Sequence, residues 1–499
     1  MKRKFFLFSV VLAALVMSLG CGTTVIAQGV QRPKLVVGIV VDQMRWDYLY
    51  RYNTLYCDGG FKRLMAEGYN CENTMINYLP SVTAIGHTSV FTGSVPAIHG
   101  MAGNNFYVDG RYTYCCEDTT VRGVGSDTKA GRMSPRNMLA TTIGDELRVG
   151  TDFKSRVFGV ALKDRAAILS AGHSANAAYW VDYSTGGFIT STYYMNKLPD
   201  WVVDFNKKIG KHPKAEIQYT SLGNRMTEEM AKAVVENEKL GQTGQTDMLT
   251  MSFSCTDMVG HKFSTHSPET QAVYIDVDRR LADFFSFLDK KIGKGNYLVF
   301  LTADHGASNN ILFNQKHGIP AEGFFVEKAL KGVNEYLKTK FNTTRNLVIG
   351  IEEYRVYIDH KAVDATSLCL DNVKKAVIEW FKKDINVAYA VDFERVAEAT
   401  IPAPIKEKIT NGYFRRRSGD VQLILNPACY DVYGDKIDGG TTHGQWNPYD
   451  AHIPFLLMGW GIKPGAMQAK TTINDIAATV CGLIHIQMPN GCIGNSVFK

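Results

Sequence analysis

Lys34-Leu35-Val36-Val37-Gly38-Ile39-Val40-Val41 runs straight into Asp42, and the reading of this octapeptide decides the fold. Continuous Val, Ile and Leu without polar alternation is how a strand covered on both faces reads, and such strands belong to parallel sheets with helices on each side. Three more runs repeat the pattern, and each ends in charge. Arg156 to Leu162 meets Lys163 and Arg165, Asp247 to Thr256 meets Asp257, and Tyr297 to Ala303 meets Asp304 and His305. Ligands of open α/β sheets sit outside the carboxyl ends of the strands, so these groups are expected to converge in one crevice. Carboxylates crowded beside an imidazole repel one another unless a cation neutralises them, and the Lys and Arg alongside suit an anion. The set points to metal-assisted chemistry on a phosphate or sulfate ester.

Strand and helix patterns alternate from Lys34 to the end, which predicts an α/β fold: a doubly wound, mostly parallel central sheet flanked by helices. Val273 to Lys290 is the clearest helix, with Ile275, Val277, Leu281, Phe284, Phe285 and Leu288 at helical spacing. Residues 28–499 read as one domain, interrupted by an inserted cap over approximately 313–438 with helix signals at Ala321 to Phe341 and Leu370 to Lys383. Pro454 to Trp460 reads as a late strand and Ile473 to Leu483 as the last helix.

Residues 1–27 read as a cleavable secretory signal: Lys2, Arg3 and Lys4, an apolar stretch from Phe5 to Leu19, and small residues ending at Ala27. Export to the periplasm or the medium is the expectation. A lipid anchor on Cys21 is the weaker alternative, because Ser18 fits that motif poorly. No other run approaches the ~18 apolar residues a membrane span needs. The formal charge of +6 includes three cations of the leader, which holds no acid, so the mature chain carries +3. That is no basis for expecting a nucleic-acid partner, and Arg415, Arg416 and Arg417 read as a solvated face. Of the ten cysteines, Cys57 with Cys71 and Cys481 with Cys492 are conceivable disulfides, and no zinc-type Cys pairs occur.

Pro80-Ser81-Val82-Thr83-Ala84-Ile85-Gly86-His87-Thr88 reads as a loop entering a helix with Pro80 in its first turn. Free N–H groups and the dipole at such an end attract a phosphoryl group, and a Thr hydroxyl there is a candidate nucleophile whose branched Cβ limits its orientations. Its ordinary pKa is too high for attack at neutral pH without a metal. Alone, each motif is weak: a hydroxyl there is more often a helix cap, and an Asp-His dipeptide more often structural. The signal lies in the joint order of Asp42, Thr83, Asp257 with His261, Asp304 with His305, and His443.

With that order, Asp42-Gln43-Met44-Arg45-Trp46-Asp47-Tyr48, Thr83-Ala84-Ile85-Gly86-His87-Thr88, Leu162-Lys163-Asp164-Arg165-Ala166, Asp304-His305-Gly306 and Gly440-Thr441-Thr442-His443, the chain resembles the alkaline phosphatase superfamily. Within it, the chain is similar to the PafA-like phosphomonoesterases that use a threonine nucleophile. The resemblance covers nearly all of the mature chain. It implies an alkaline-phosphatase-like fold and two Zn²⁺, one held by Asp257, His261 and His443 and the other by Asp42, Asp304, His305 and the Thr83 oxygen. It also implies that Asn104, Lys163 and Arg165 bind the phosphoryl oxygens, and that phosphate monoesters are hydrolysed through a phospho-threonine. Between Trp201 and Asp257 the chain looks shorter than fuller members, which bears on leaving-group contacts.

Two cations suit the doubly charged terminal phosphoryl group of a monoester better than a diester, which has one charge and a second organic arm. A phosphodiesterase or nucleotide pyrophosphatase of the same superfamily is the alternative expectation. A sulfatase is a poor one, because Thr83 is followed by Ala, Ile, Gly and His instead of the x-Pro-x-Arg that aldehyde formation needs. An exported binding protein that holds phosphate without turnover is the non-enzymatic alternative.

Overall fold

The computed structural model describes residues 30–498, so the leader read over 1–27 lies outside the described residues. The apolar runs are strands: β1 (Leu35–Val41), β2 (Val157–Ala161), β3 (Ala177–Asp182), β4 (Asp247–Phe253) and β5 (Tyr297–Thr302). After them come β6 (Val348–Glu352), β7 (Arg355–Ile358), β8 (Val387–Asp392), β9 (Val421–Leu425) and β10 (Phe455–Gly459). The helices that matter here are α1 (Thr83–Thr92), α2 (Asp164–Ala171), α3 (Cys255–Phe263), α4 (Pro268–Leu288), α5 (Val326–Phe341), α6 (Leu370–Phe381) and α7 (Asp475–Leu483).

β1 lies inside a ten-stranded sheet whose middle runs β10-β5-β1-β4-β2-β3. β1 pairs in parallel with β4 and β5, and β2 pairs in parallel with β4 and β3; β10 is antiparallel to β5. Every residue of β1, β4 and β5 is buried. At about 1.5–3 kcal/mol for each large apolar side chain, this both-faces burial is what the mainly apolar runs supply. Val41 stands opposite Phe253 and Val40 opposite Thr302, so the three central strands finish at one edge.

Some boundaries differ from the sequence reading. The run from Asp247 does not stay extended to Thr256: β4 stops at Phe253, and Cys255, Thr256 and Asp257 form the first turn of α3. Asp257 is thus delivered by a helix start. Pro80 is not in the first turn of α1, since Val82 is the extended residue before the helix and Thr83 its first residue. α4 begins at Pro268, earlier than its apolar periodicity, because the Ser267 hydroxyl accepts the Thr270 N–H and Pro268 suits a first turn. Arg417 is not on a solvated face: its guanidinium donates to the carbonyls of Gly100 and Asn137 at 2.6 and 2.7 Å and lies over Phe106.

β6, β7, β9 and β8 form a separate antiparallel sheet in that order. With α5 and α6 it encloses its own apolar cluster, including Val333, Leu337, Val356, Val373, Phe381 and Leu423. These elements fall inside the stretch read from sequence as a cap. The nine described cysteines are free thiols. No described helix is long and apolar enough to cross a membrane.

Candidate active site

The carboxyl ends of β1 and β5 carry Asp42 and, two residues past β5, Asp304; both are fully buried, as is His305. Thr83, 1 % exposed, opens α1 beside them, its Oγ1 3.4 Å from His305 Nε2. Gly86, one turn on, allows this approach: a Cβ there would meet the Asp304 carbonyl oxygen at 2.3 Å. A second group comes from α3 and a distant loop. Asp257 Oδ1 lies 3.1 Å from His261 Nε2 and 3.5 Å from His443 Nε2. Asp42, Asp304 and His305 form one set with atoms placed to hold a metal ion, and Asp257, His261 and His443 the other; within each set those atoms lie within 4.8 Å of one another.

Hydrogen bonding fixes how the imidazoles face these sets. Nδ1 of His261 lies 2.8 Å from the Thr441 carbonyl, Nδ1 of His443 2.8 Å from that of Ser81, and Nδ1 of His305 3.0 Å from that of Gly306. A carbonyl accepts only, so Nδ1 carries a proton in all three rings and each Nε2 faces the carboxylates; against the effect of burial, the Asp257 charge raises the His261 pKa. Burial pushes the His305 pKa down to about 3, which keeps that ring neutral. His305 Nε2 stands 3.6 Å from Asp42 Oδ1 and 3.4 Å from Asp304 Oδ2. Both of those oxygens are buried without a hydrogen-bond partner.

Lone pair facing lone pair is repulsive unless a cation lies between. Burial, and next the Asp304 charge, push the Asp42 carboxyl well above its ordinary pKa. A tetrahedral ion bound at about 2.0–2.1 Å holds its ligand atoms about 3.3–3.4 Å apart; five of the pairs here lie 3.1 to 3.6 Å apart, and all atoms of a set lie within 4.8 Å. The donor sets therefore fit two divalent cations that accept nitrogen and carboxylate oxygen, and histidines fixed through Nδ1 to a backbone carbonyl are oriented as metal ligands are.

Lys163 ends the stretch after β2 and precedes α2; its Nζ donates to Asp42 Oδ2 and Asp257 Oδ2, both at 2.6 Å. Burial works against this ammonium, but Asp257 and Asp42 outweigh it and raise its pKa. Arg165 donates to the Tyr114 hydroxyl at 3.3 Å, and Tyr114 donates to Asp164 at 2.5 Å. Tyr114 pairs across a hairpin with Asn105, so the strand that holds Arg165 also adjoins Asn104. Asn104 Oδ1 accepts the Ala84 N–H at 3.0 Å, which turns the carboxamide donors the other way. The structure thus brings Asp42, Asp304, His305 and Thr83 together on one side and Asp257, His261 and His443 on the other, with Lys163 on a carboxylate of each set, Asn104 at the start of α1 and Arg165 on Tyr114.

Sequence reasoning missed Gln43, whose φ of 64° is rare for a side-chain-bearing residue. Its backbone N–H donates to Asp304 Oδ1 at 3.2 Å and its Nε2 to Asp257 Oδ1 at 2.7 Å, so one residue orients a carboxylate in each set. No motif marks it, although it follows Asp42 directly. Gln43→Ala is expected to weaken metal retention by about 10- to 100-fold, read as the chelator concentration that strips half the metal; an unchanged midpoint would remove this role. His87 was also missed: fully buried, its ring lies 3.0 Å from the Thr83 carbonyl and 2.9 Å from Ser252 Oγ.

A mostly parallel sheet with titratable groups gathered at its carboxyl edge is the architecture of the alkaline-phosphatase-like enzymes, and comparison with known proteins agrees. The family model described as type I phosphodiesterase / nucleotide pyrophosphatase matches residues 36–450, and the chain belongs to this family. Within it the chain groups with the PafA-like alkaline phosphatases. It is 45% identical over 520 residues to "Alkaline phosphatase PafA" of Elizabethkingia meningoseptica, with 94% of each chain covered. A crystal structure of wild-type PafA superposes with a TM-score of 0.91 at 44% identity, covering 94% of this chain and 99% of that one. "Alkaline phosphatase PhoV" of Synechococcus elongatus is 44% identical, with 95% of this chain and 94% of that one covered. A Myroides odoratus protein named "Calcium-transporting ATPase" is also 44% identical, over 94% of this chain and 95% of its own.

Proposed function

We propose that this phosphoric monoester hydrolase is a zinc-dependent alkaline phosphatase that releases inorganic phosphate and an alcohol through a phospho-Thr83 intermediate. The observation that carries the reading is the placement of the Thr83 hydroxyl, at a helix N-terminus, against the His305 and Asp42–Asp304 set, with Lys163 between that set and the other. A pair of divalent cations supplies the Lewis acidity that the protein groups lack, lowering the pKa of a hydroxyl and neutralising a departing alkoxide. Asp42, Asp304 and His305 would hold one, with the Thr83 oxygen, and Asp257, His261 and His443 the other.

The chain's own residues do the rest. Thr83 Oγ1 attacks phosphorus in line, the ester P–O bond breaks, and the alcohol leaves. Water then takes the phosphoryl group from Thr83 and restores the hydroxyl. Arg165 presents the planar fork that grips two oxygens, Lys163 adds a point charge, and Asn104 a neutral donor. These are arranged before reaction, which is how charge in a phosphoryl transition state is stabilised without reorganisation. The Asp42 set is fully buried, whereas the His261 side chain is 40% exposed, so the organic arm of the ester leaves past His261. The basic, apolar start of the sequence supports export of this enzyme.

The family model's own description favours one other reading, a phosphodiesterase or nucleotide pyrophosphatase. Turnover of an aryl phosphate against its methyl diester separates them. The monoester is expected to have the higher kcat/KM, and Arg165→Ala is expected to lower it roughly 100-fold while affecting the diester less. A faster diester, or an Arg165→Ala enzyme with unchanged monoester turnover, would overturn the reading.

A further inference from the structure

The two-residue turn joining β6 to β7 is made of residues that do not suit its shape. Glu352 pairs with Arg355, which leaves Glu353 and Tyr354 as the central residues, with φ of 48° and 66°. Positive φ at both positions is the type I′ hairpin turn, for which Asn-Gly is preferred because larger side chains are disfavoured there. Backbone held in such a region gathers where the side chains it aims are needed, and here they reach the active site from the inserted sheet.

Glu353 Oε1 accepts the Asn104 backbone N–H at 2.9 Å. Its Oε2 lies on Gly103, where a Cβ would stand 2.2 Å away, so the carboxyl group packs directly against that glycine. Asn104 in turn accepts the Ala84 N–H, one residue past Thr83. The turn is clamped in place by its neighbours. Tyr354 donates to Asp431 at 2.5 Å and lies 3.4 Å from the His443 carbonyl. The guanidinium of Arg355, fully buried, donates to the carbonyls of Leu79, at 2.9 Å, and Ala102. The turn thereby holds both segments that lead to Thr83 and to Asn104.

We propose that Glu353 is a positioning residue for phosphoryl transfer: by accepting the Asn104 N–H it fixes the Asn104 carboxamide between the start of α1 and the phosphoryl oxygen. The inference rests on Asn104 as a phosphoryl ligand, part of the proposed function. Glu353→Asn tests it, because Asn suits left-handed backbone better than Glu yet is too short to reach the Asn104 N–H. The expected result is an unchanged or raised Tm with kcat/KM for an aryl phosphate down roughly tenfold, while Glu353→Gln, which keeps the acceptor, stays within about twofold of wild type. In an Asn104→Ala background, Glu353→Asn should cost no more than about twofold. Unchanged kcat/KM in Glu353→Asn would overturn the proposal, and so would the same tenfold loss repeated without the Asn104 side chain. If the wild-type enzyme prefers the methyl diester, the monoesterase reading fails, and the same four-variant cycle run on that diester still decides the role of Glu353.

Discussion

Thr83→Ala is expected to lower monoester turnover by about 10⁴-fold or more while leaving the fold intact. The residue is 1 % exposed and opens α1 with its hydroxyl 3.4 Å from His305 Nε2; removing a hydroxyl at this place leaves nothing to form the covalent intermediate. Helix formation does not depend on it, since no side-chain cap is made at this end and Asn104 already satisfies the Ala84 N–H. Acid-quenched wild-type enzyme in the presence of substrate should yield a peptide containing Thr83 that is heavier by one phosphoryl group, and Thr83→Ala should yield none. An alanine variant with near wild-type turnover, or label on another residue, would displace Thr83 as nucleophile. It would also separate an enzyme from a phosphate-binding protein, which has no turnover to lose.

The second large effect is metal removal. Exhaustive chelation is expected to abolish hydrolysis, and zinc to restore it. It should also lower the Tm, because the donor sets converge only in the folded chain and an ion present at about 1,000 times its dissociation constant adds about 4 kcal/mol of stability for each site. The stability loss has a local cause: Asp42 Oδ1 and Asp304 Oδ2 are buried without hydrogen-bond partners. Lys163 donates to a carboxylate in each set but leaves those two oxygens unsatisfied, because its contacts are to Asp42 Oδ2 and Asp257 Oδ2. Thermal unfolding with and without chelator reads this directly. An unchanged Tm, or full activity in the stripped protein, would contradict it.

Most of the framework was legible because burial on both faces leaves a strong mark: β1, β4 and β5 are buried along their whole length and mostly apolar, so their runs stood out. The charged residues after those runs were legible for the same reason, as the first charged positions past a fully buried strand. Where chemistry sat on a helix start, the reading slipped. Cys255 and Thr256 looked like strand because apolar content alone does not separate a buried strand end from the first turn of a buried helix. Gln43 and Glu353 were illegible because each acts through backbone geometry: a positive φ and a hydrogen bond to a chain segment 249 residues away have no local pattern. His443 was legible only as the last member of the joint order, since a single histidine in a Gly-Thr-Thr loop has no spacing partner in the sequence, and Asn104 was found only through resemblance.

Elemental analysis of the purified enzyme bears most directly on the pairing of Asp42, Asp304 and His305 with Asp257, His261 and His443. The expected result is two zinc equivalents per chain, dropping to about one when His261 and His443 are both changed to Ala. A wild-type enzyme that hydrolyses esters at full rate yet holds no transition metal, or keeps both equivalents in that double variant, would contradict the paired-cation centre.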